Sequence, residues 1–152
     1  MDFTDFDAAK ILIIVASLVI AIVGHEIAHG FVAYKFGDTT AKNLGRLSIN
    51  PIRHIDPLGT IVIPSVMYMA TGLMFGWAKP VPVNMNTVIK NGGYKGAIAV
   101  ALAGILYNLI LVALAFLAFK FVKTAMPSAI LMQFLYTLLA LNLILAVFNL
   151  YP

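Results

Sequence analysis

Between Ile11 and Phe36 the chain runs almost unbroken through apolar residues, and within that run stand His25-Glu26-Ile27-Ala28-His29. A stretch of this length has one stable form in lipid, a helix that satisfies its own backbone. Two imidazoles and a carboxylate at membrane depth are costly, and such residues mark function by default. His25 and His29 are also two of only 3 histidines in the chain, the third being His54. The run therefore demands a membrane helix and a polar site within it.

The remaining pattern extends this to the whole chain. With 152 residues, 62% hydrophobic and 11% charged, the composition is that of one domain, far from the roughly 25% charge of a soluble protein. The predicted fold is an all-α polytopic membrane protein with three transmembrane helices, one short or re-entrant apolar segment and an extended, strand-like loop. The helices are expected over Ala8 to about Phe36, ended by Gly37, over Ala97–Phe121, and over Ala129 to about Leu150 after Pro127-Ser128. Leu58–Phe75 is apolar but broken by Pro64 and Gly72, so a short span, a half-span and a re-entrant segment all stay open. Gly76–Gly96 carries Pro80 and Pro82. Each residue before a proline is pushed out of helical geometry, so Trp77–Asn84 is expected to be extended. Residues 1–152 read as a single integral-membrane core, without internal repeat or low-complexity tract.

Several classes fall away. No basic stripe with interleaved aromatics is present, so nucleic acid is not an expected partner. The absence of cysteine removes disulfides and thiolate metal sites, leaving His, Asp and Glu as the strong ligands. The first run is too long for a signal-peptide core and is expected to stay in the mature protein. Lys10 stands at the leading end of the first helix, whereas Lys35, Lys42, Arg46 and Arg53 stand at or behind its other end. The positive-inside tendency then puts the amino terminus outside and that connection in the cytoplasm of a cell (plasma) membrane protein. Lys79, Lys90 and Lys95 form a second basic cluster, which shares the cytoplasmic side if Leu58–Phe75 re-enters. His29 would lie about 10 Å from the cytoplasmic end of its helix.

Residues four apart on a helix share a face, so His25 and His29 can clasp one Zn2+ ion. Glu26 leans beside the pair, placed for a water and not for the metal. Zinc lowers the pKa of such a water toward ~7, and a glutamate can then take its proton and hand it to a leaving amine. The site wants only three protein ligands, so that one position stays open. The competing reading is a polar patch that joins spans by hydrogen bonds.

At this point the chain resembles the site-2 protease family of intramembrane zinc metalloproteases, in particular its compact prokaryotic members. His25-Glu26-Ile27-Ala28-His29-Gly30, with Val32-Ala33 and Gly37-Asp38 behind, is similar to the family's catalytic helix. Asn50-Pro51-Ile52-Arg53-His54-Ile55-Asp56-Pro57-Leu58-Gly59-Thr60 and Gly76-Trp77-Ala78-Lys79-Pro80-Val81-Pro82-Val83-Asn84 resemble two further segments. Ala103-Gly104 followed by Asn108 resembles the family's Gly-x-x-x-Asn element, with Ile105 where a proline is usual. The resemblance implies Glu26 as catalytic base, His25 and His29 as ligands to one Zn2+, and a third ligand Asp in a Leu-Asp-Gly stretch. This sequence has Asn149-Leu150-Tyr151-Pro152 but no Leu-Asp-Gly, so the Asp is expected beyond Pro152 and the chain reads as carboxyl-terminally truncated.

Asn108, His54 and Asn149 are the remaining candidates, for substrate contact or support of the ligands. Asn108 could equally bond between helices, as could Asn142. For His54, a surface or interfacial position bonded to backbone, or a substrate-side role, is expected over direct ligation. Asp56 is expected to form a turn before Pro57, and Lys79 and Trp77 to be interfacial anchors. The Trp77–Asn84 strand has an edge that could pair with an unwound substrate. The implied function is an intramembrane endopeptidase that hydrolyses peptide bonds in or near transmembrane segments of membrane protein substrates in the lipid bilayer. The alternative is a catalytically incomplete metal-binding module that binds clients without cleaving them. Metal transport fits less well, since the ionisable residues within the spans lie on one helix only.

Overall fold

Helix α1, Ala8–Lys35, is apolar on nearly every face, as a segment solvated by lipid should be. In the computed structural model, residues 8–72 and 78–150 are described, the side chains of Ile61 and Pro64 excepted. Trp77 and the Tyr151-Pro152 end of the Asn-x-x-Pro stretch lie outside the described residues. α1 stops where expected, with Gly37 in the left-handed region at φ 87°. A short helix α2, Thr40–Asn43, follows. A 3-10 turn over Pro51–His54 and a π turn over Pro57–Val62 lead into α3, Ile63–Thr71. α4 covers Met85–Ala125 and α5 covers Ala129–Leu150. No strand occurs among the described residues. Residues 78–84 form an extended loop without a ladder.

Among the described residues, helices α1, α4 and α5 are the three long and apolar enough to cross a membrane. Of the apolar segment left open above, residues up to 72 are described. Its π turn and α3 contain 6 and 9 residues, about 20 Å of helix, short of a ~30 Å hydrocarbon core. The Lys79 N–H then donates to the His54 carbonyl at 3.0 Å. The residues on either side of the segment, His54 and Lys79, are thus next to each other.

The linker expected over Gly76–Gly96 is shorter than the sequence reading allowed. Asn84 accepts from the Thr87 N–H at 3.3 Å, an N-cap that starts α4 at Met85. Helix therefore occupies Met85–Gly92, where Lys90-Asn91-Gly92-Gly93 resembles a turn. Gly93, at φ 61° and ψ −162°, breaks the helical path, and the long span resumes after the kink.

Two compact units divide the chain, residues 1–25 with 104–152 and residues 26–103. In the first, the Tyr107 hydroxyl donates to the Ile20 carbonyl at 3.1 Å, tying α4 to α1. In the second, Ala33, Val88 and Val100 are buried together, with Val32, Phe36 and Val83 packed against them. This small core seats the extended loop against the last turns of α1.

Candidate metal centre

Helical rise places the His25 and His29 side chains one turn apart on α1, about 6 Å along its axis. His25 is buried and His29 half-buried. The ring of His29 is oriented by α4, because its Nδ1 lies 2.6 Å from the Val100 carbonyl oxygen. A carbonyl only accepts, so Nδ1 is the donor and Nε2 is the nitrogen left for a metal. Metal-binding histidines are held in this way, the second nitrogen donating to a carbonyl or carboxylate.

Glu26 is engaged differently from what the motif alone suggests. Its Oε2 accepts the Val81 peptide N–H at 2.7 Å, from the extended loop. One carboxylate oxygen is thus committed to the protein backbone.

Around Val81 the loop is fastened by other polar side chains. The buried Arg46 guanidinium donates through Nη2 to the Lys79 carbonyl, and to that of Pro80 at 3.3 Å. Asp38, only 2% exposed, accepts the Asn84 N–H through Oδ2 at 2.7 Å. Its Oδ1 accepts the Thr40 N–H at 2.9 Å and the Thr40 hydroxyl at 2.5 Å. Burial pushes the Asp38 carboxyl up, but the Thr40 hydroxyl, the Thr40 N–H and the Asn84 N–H together leave it below its ordinary value. Nothing in the residue pattern singled out Asp38 or Arg46 as partners of this loop.

These fastenings limit the strand edge proposed for substrate pairing. Pro80 and Pro82 have no N–H, while those of Lys79, Val81 and Asn84 are used as described. Between Lys79 and Asn84, Val83 supplies the one backbone donor that these bonds leave over.

The other candidates fall apart from this arrangement or remain unassigned by it. His54 is no surface residue. It is 2% exposed, with Nε2 2.8 Å from the Ser48 carbonyl, so the expected backbone bond is present but the exposed position is not. Asp56 forms the expected turn, its Oδ1 accepting the Leu58 N–H at 3.3 Å. Asn149 is exposed and donates to the Leu145 carbonyl of its own helix at 2.8 Å. Asn108 is fully buried on α4, and neither atom of its amide has a hydrogen-bond partner among the described residues. Asn142, also fully buried, donates to the Leu138 carbonyl of its own helix at 2.8 Å. The Lys79 side chain is exposed.

Among the described residues, no group of three or more His, Asp or Glu side chains is arranged to hold a metal ion. What the chain offers is a pair of imidazoles one turn apart, one with its ring oriented. That donor set fits two positions of a zinc site.

The comparisons with known proteins point the same way. The chain is 43% identical over 145 residues to "Putative zinc metalloprotease YwhC" of Bacillus subtilis (strain 168), a match covering 91% of the chain and 62% of that relative. A second relative, "Putative zinc metalloprotease Rip2" of Mycolicibacterium smegmatis, is 27% identical over 64 residues, 42% of the chain and 25% of the relative. The chain thus spans less than two thirds of the length of either. No family model and no solved structure matches. The identity to the first relative runs through almost the whole of this chain, and both relatives are named putative zinc metalloproteases, the class that the sequence's resemblance to the site-2 protease family leads one to expect.

Proposed function

We propose that this chain carries the zinc-holding and proton-transferring residues of an intramembrane metalloendopeptidase, which hydrolyses peptide bonds in or near transmembrane segments of other membrane proteins. The observation that supports this best is the His29 ring, whose Nδ1 is bonded to the Val100 carbonyl so that Nε2 is the nitrogen left for a metal. His25 and His29 would hold one Zn2+, with the third ligand an Asp of the Leu-Asp-Gly stretch that these 152 residues do not contain. When bound, zinc supplies Lewis-acid polarisation of a carbonyl and a more acidic water. Glu26 does the proton work. With Oε2 on the Val81 N–H, Oε1 takes a proton from the attacking water. As the carbon–nitrogen bond breaks, that proton passes to the leaving amine. Asn108, with no protein partner for its amide among the described residues, is the candidate to bond substrate backbone.

The reading also places the reaction near the cytoplasmic face of the plasma membrane. The bond between Lys79 and His54 supports placing the basic connections before and after Pro57–Thr71 on one side, which the positive-inside tendency assigns to the cytoplasm. Access for water follows from the short distance between His29 and the end of α1.

Glu26→Gln in the complete protein tests the proposal. Zinc content should stay at wild type while cleavage of a tagged transmembrane substrate falls at least 10²-fold, the scale of a lost general base. Cleavage at the wild-type rate would remove Glu26 from the role. The alternative reading is a metal-binding module without activity. It predicts a zinc-loaded wild-type protein that releases no product.

A further inference from the structure

The extended loop does more than close a turn: one of its peptide groups is aimed at the carboxylate that the proposed reaction needs. A glutamate side chain has three rotatable bonds, and on a helix it can sweep a wide arc. Here one oxygen is pinned by a charge-assisted bond of 2.7 Å from a buried residue, Val81, 8% exposed. The sequence around the donor restricts where it can point. Pro80 has a fixed φ, and Val81 precedes Pro82, which confines it to extended geometry. Neither proline has an N–H, so Val81 supplies the only donor of the Pro80–Pro82 tripeptide. The tripeptide is in turn held from both ends, by Arg46 on the Lys79 and Pro80 carbonyls and by Asp38 on the Asn84 N–H.

We infer that the Val81 peptide N–H is a positioning group for Glu26, fixing Oε2 so that Oε1 is presented to the attacking water. The inference rests on Glu26 acting as the base. The Val81 N–H does not touch the reacting atoms; it acts through the carboxylate. Its loss leaves Glu26 chemically intact but free to turn. A reacting group misplaced by about 1 Å costs on the order of 10²-fold in rate.

The test uses the complete protein in nanodiscs with a transmembrane substrate. Val81→Pro deletes the N–H while keeping extended geometry, and Val81→Ala keeps the N–H while trimming the side chain. A backbone ester at residue 81, with the valine side chain retained, deletes the N–H and leaves the Arg46 bond to the Lys79 carbonyl in place, although it weakens the Pro80 carbonyl as an acceptor. The proline and ester variants should lose kcat by roughly 30- to 100-fold with KM and zinc content unchanged, and Val81→Ala should stay within about threefold of wild type. Independently of turnover, the carboxylate infrared band of Glu26, assigned by difference against Glu26→Gln, should shift in the proline and ester variants and not in Val81→Ala. If Val81→Pro fails to fold or to hold zinc, the ester variant decides. Wild-type or higher kcat in the ester variant, an unmoved Glu26 band, or an equal loss in Val81→Ala would overturn the inference. Turnover retained by Glu26→Gln would instead sink the general-base reading beneath it.

Discussion

Gly24→Ala should destabilise the first unit through a contact that the substitution itself defines. A Cβ at residue 24 would lie 2.0 Å from Tyr107 Cζ, 2.1 Å from its Oη and 2.5 Å from its Cε1. Ordinary carbon contacts are about 3.5–4.0 Å, so the ring or the helix must move by roughly 1.5 Å. The ring cannot swing away without giving up the hydrogen bond from its hydroxyl to the Ile20 carbonyl. Overpacking of this kind costs about 1–3 kcal/mol, and the bond adds about 1 kcal/mol. Alanine's better helix propensity returns about 1 kcal/mol, so the net loss should be about 1–3 kcal/mol. Reversible unfolding in mixed micelles would measure it. The decisive comparison is a cycle with Tyr107→Ala, which removes the obstructing ring. In that background Gly24→Ala should be neutral or stabilising. An equal destabilisation in both backgrounds, or a stabilised single variant, would refute the close packing of α4 on α1.

Two further outcomes are expected. The Asp38 carboxyl sits below its ordinary value, and a depressed carboxylate contributes stability that is complete above the unfolded pKa of about 3.9. That contribution is lost as pH falls through the lower folded value. Asp38→Asn should therefore unfold more easily at neutral pH, by about 1–3 kcal/mol, with a flatter acid limb below about pH 4. Parallel acid-unfolding curves for the two proteins would contradict this. His25→Ala and His29→Ala should each reduce zinc measured by elemental analysis of the complete protein, and unchanged zinc in either would remove that residue from the ligand set.

The membrane helices were the most legible part of the chain because lipid imposes a requirement that apolar length alone reveals. The start of α5 after Pro127-Ser128 and the stop of α1 at Gly37 follow from local backbone chemistry and match the structure. Helix Met85–Gly92 was hidden by its own glycines. Gly92-Gly93 looks like the end of a connection, whereas Gly93 only kinks a helix that continues. The signal that could have revealed this helix was Asn84, an N-capping residue directly before it. The path of the Pro57–Thr71 segment could not be read, because apolar content is the same for a half-crossing and a crossing. The contact that joins the residues on either side of it, Lys79 with His54, lies between residues far apart in sequence. The histidines and glutamate of α1 announced themselves by being costly where they stand. The bond from Val81 did not, since a backbone N–H has no sequence signature.

Arg46 shows why charge patterns misdirect in such a chain. Counted with Lys35, Lys42 and Arg53 it marks a cytoplasmic connection, as though it faced headgroups and water. It is instead 7% exposed and spends its Nη2 on two carbonyls of the extended loop. Irregular backbone next to a membrane helix cannot leave its polar groups to lipid, and must have them satisfied by protein. A strand would ordinarily provide that partner. Prolines at 80 and 82 forbid a regular ladder here, so side chains take its place: a guanidinium for the carbonyls, and the carboxylates of Asp38 and Glu26 for the N–H groups. The same prolines that deny the loop a neighbouring strand thus explain why acidic and basic side chains gather around it. One of those residues is the glutamate of the metal-binding motif, so the folding requirement of the loop and the orientation of the candidate base are met by a single hydrogen bond.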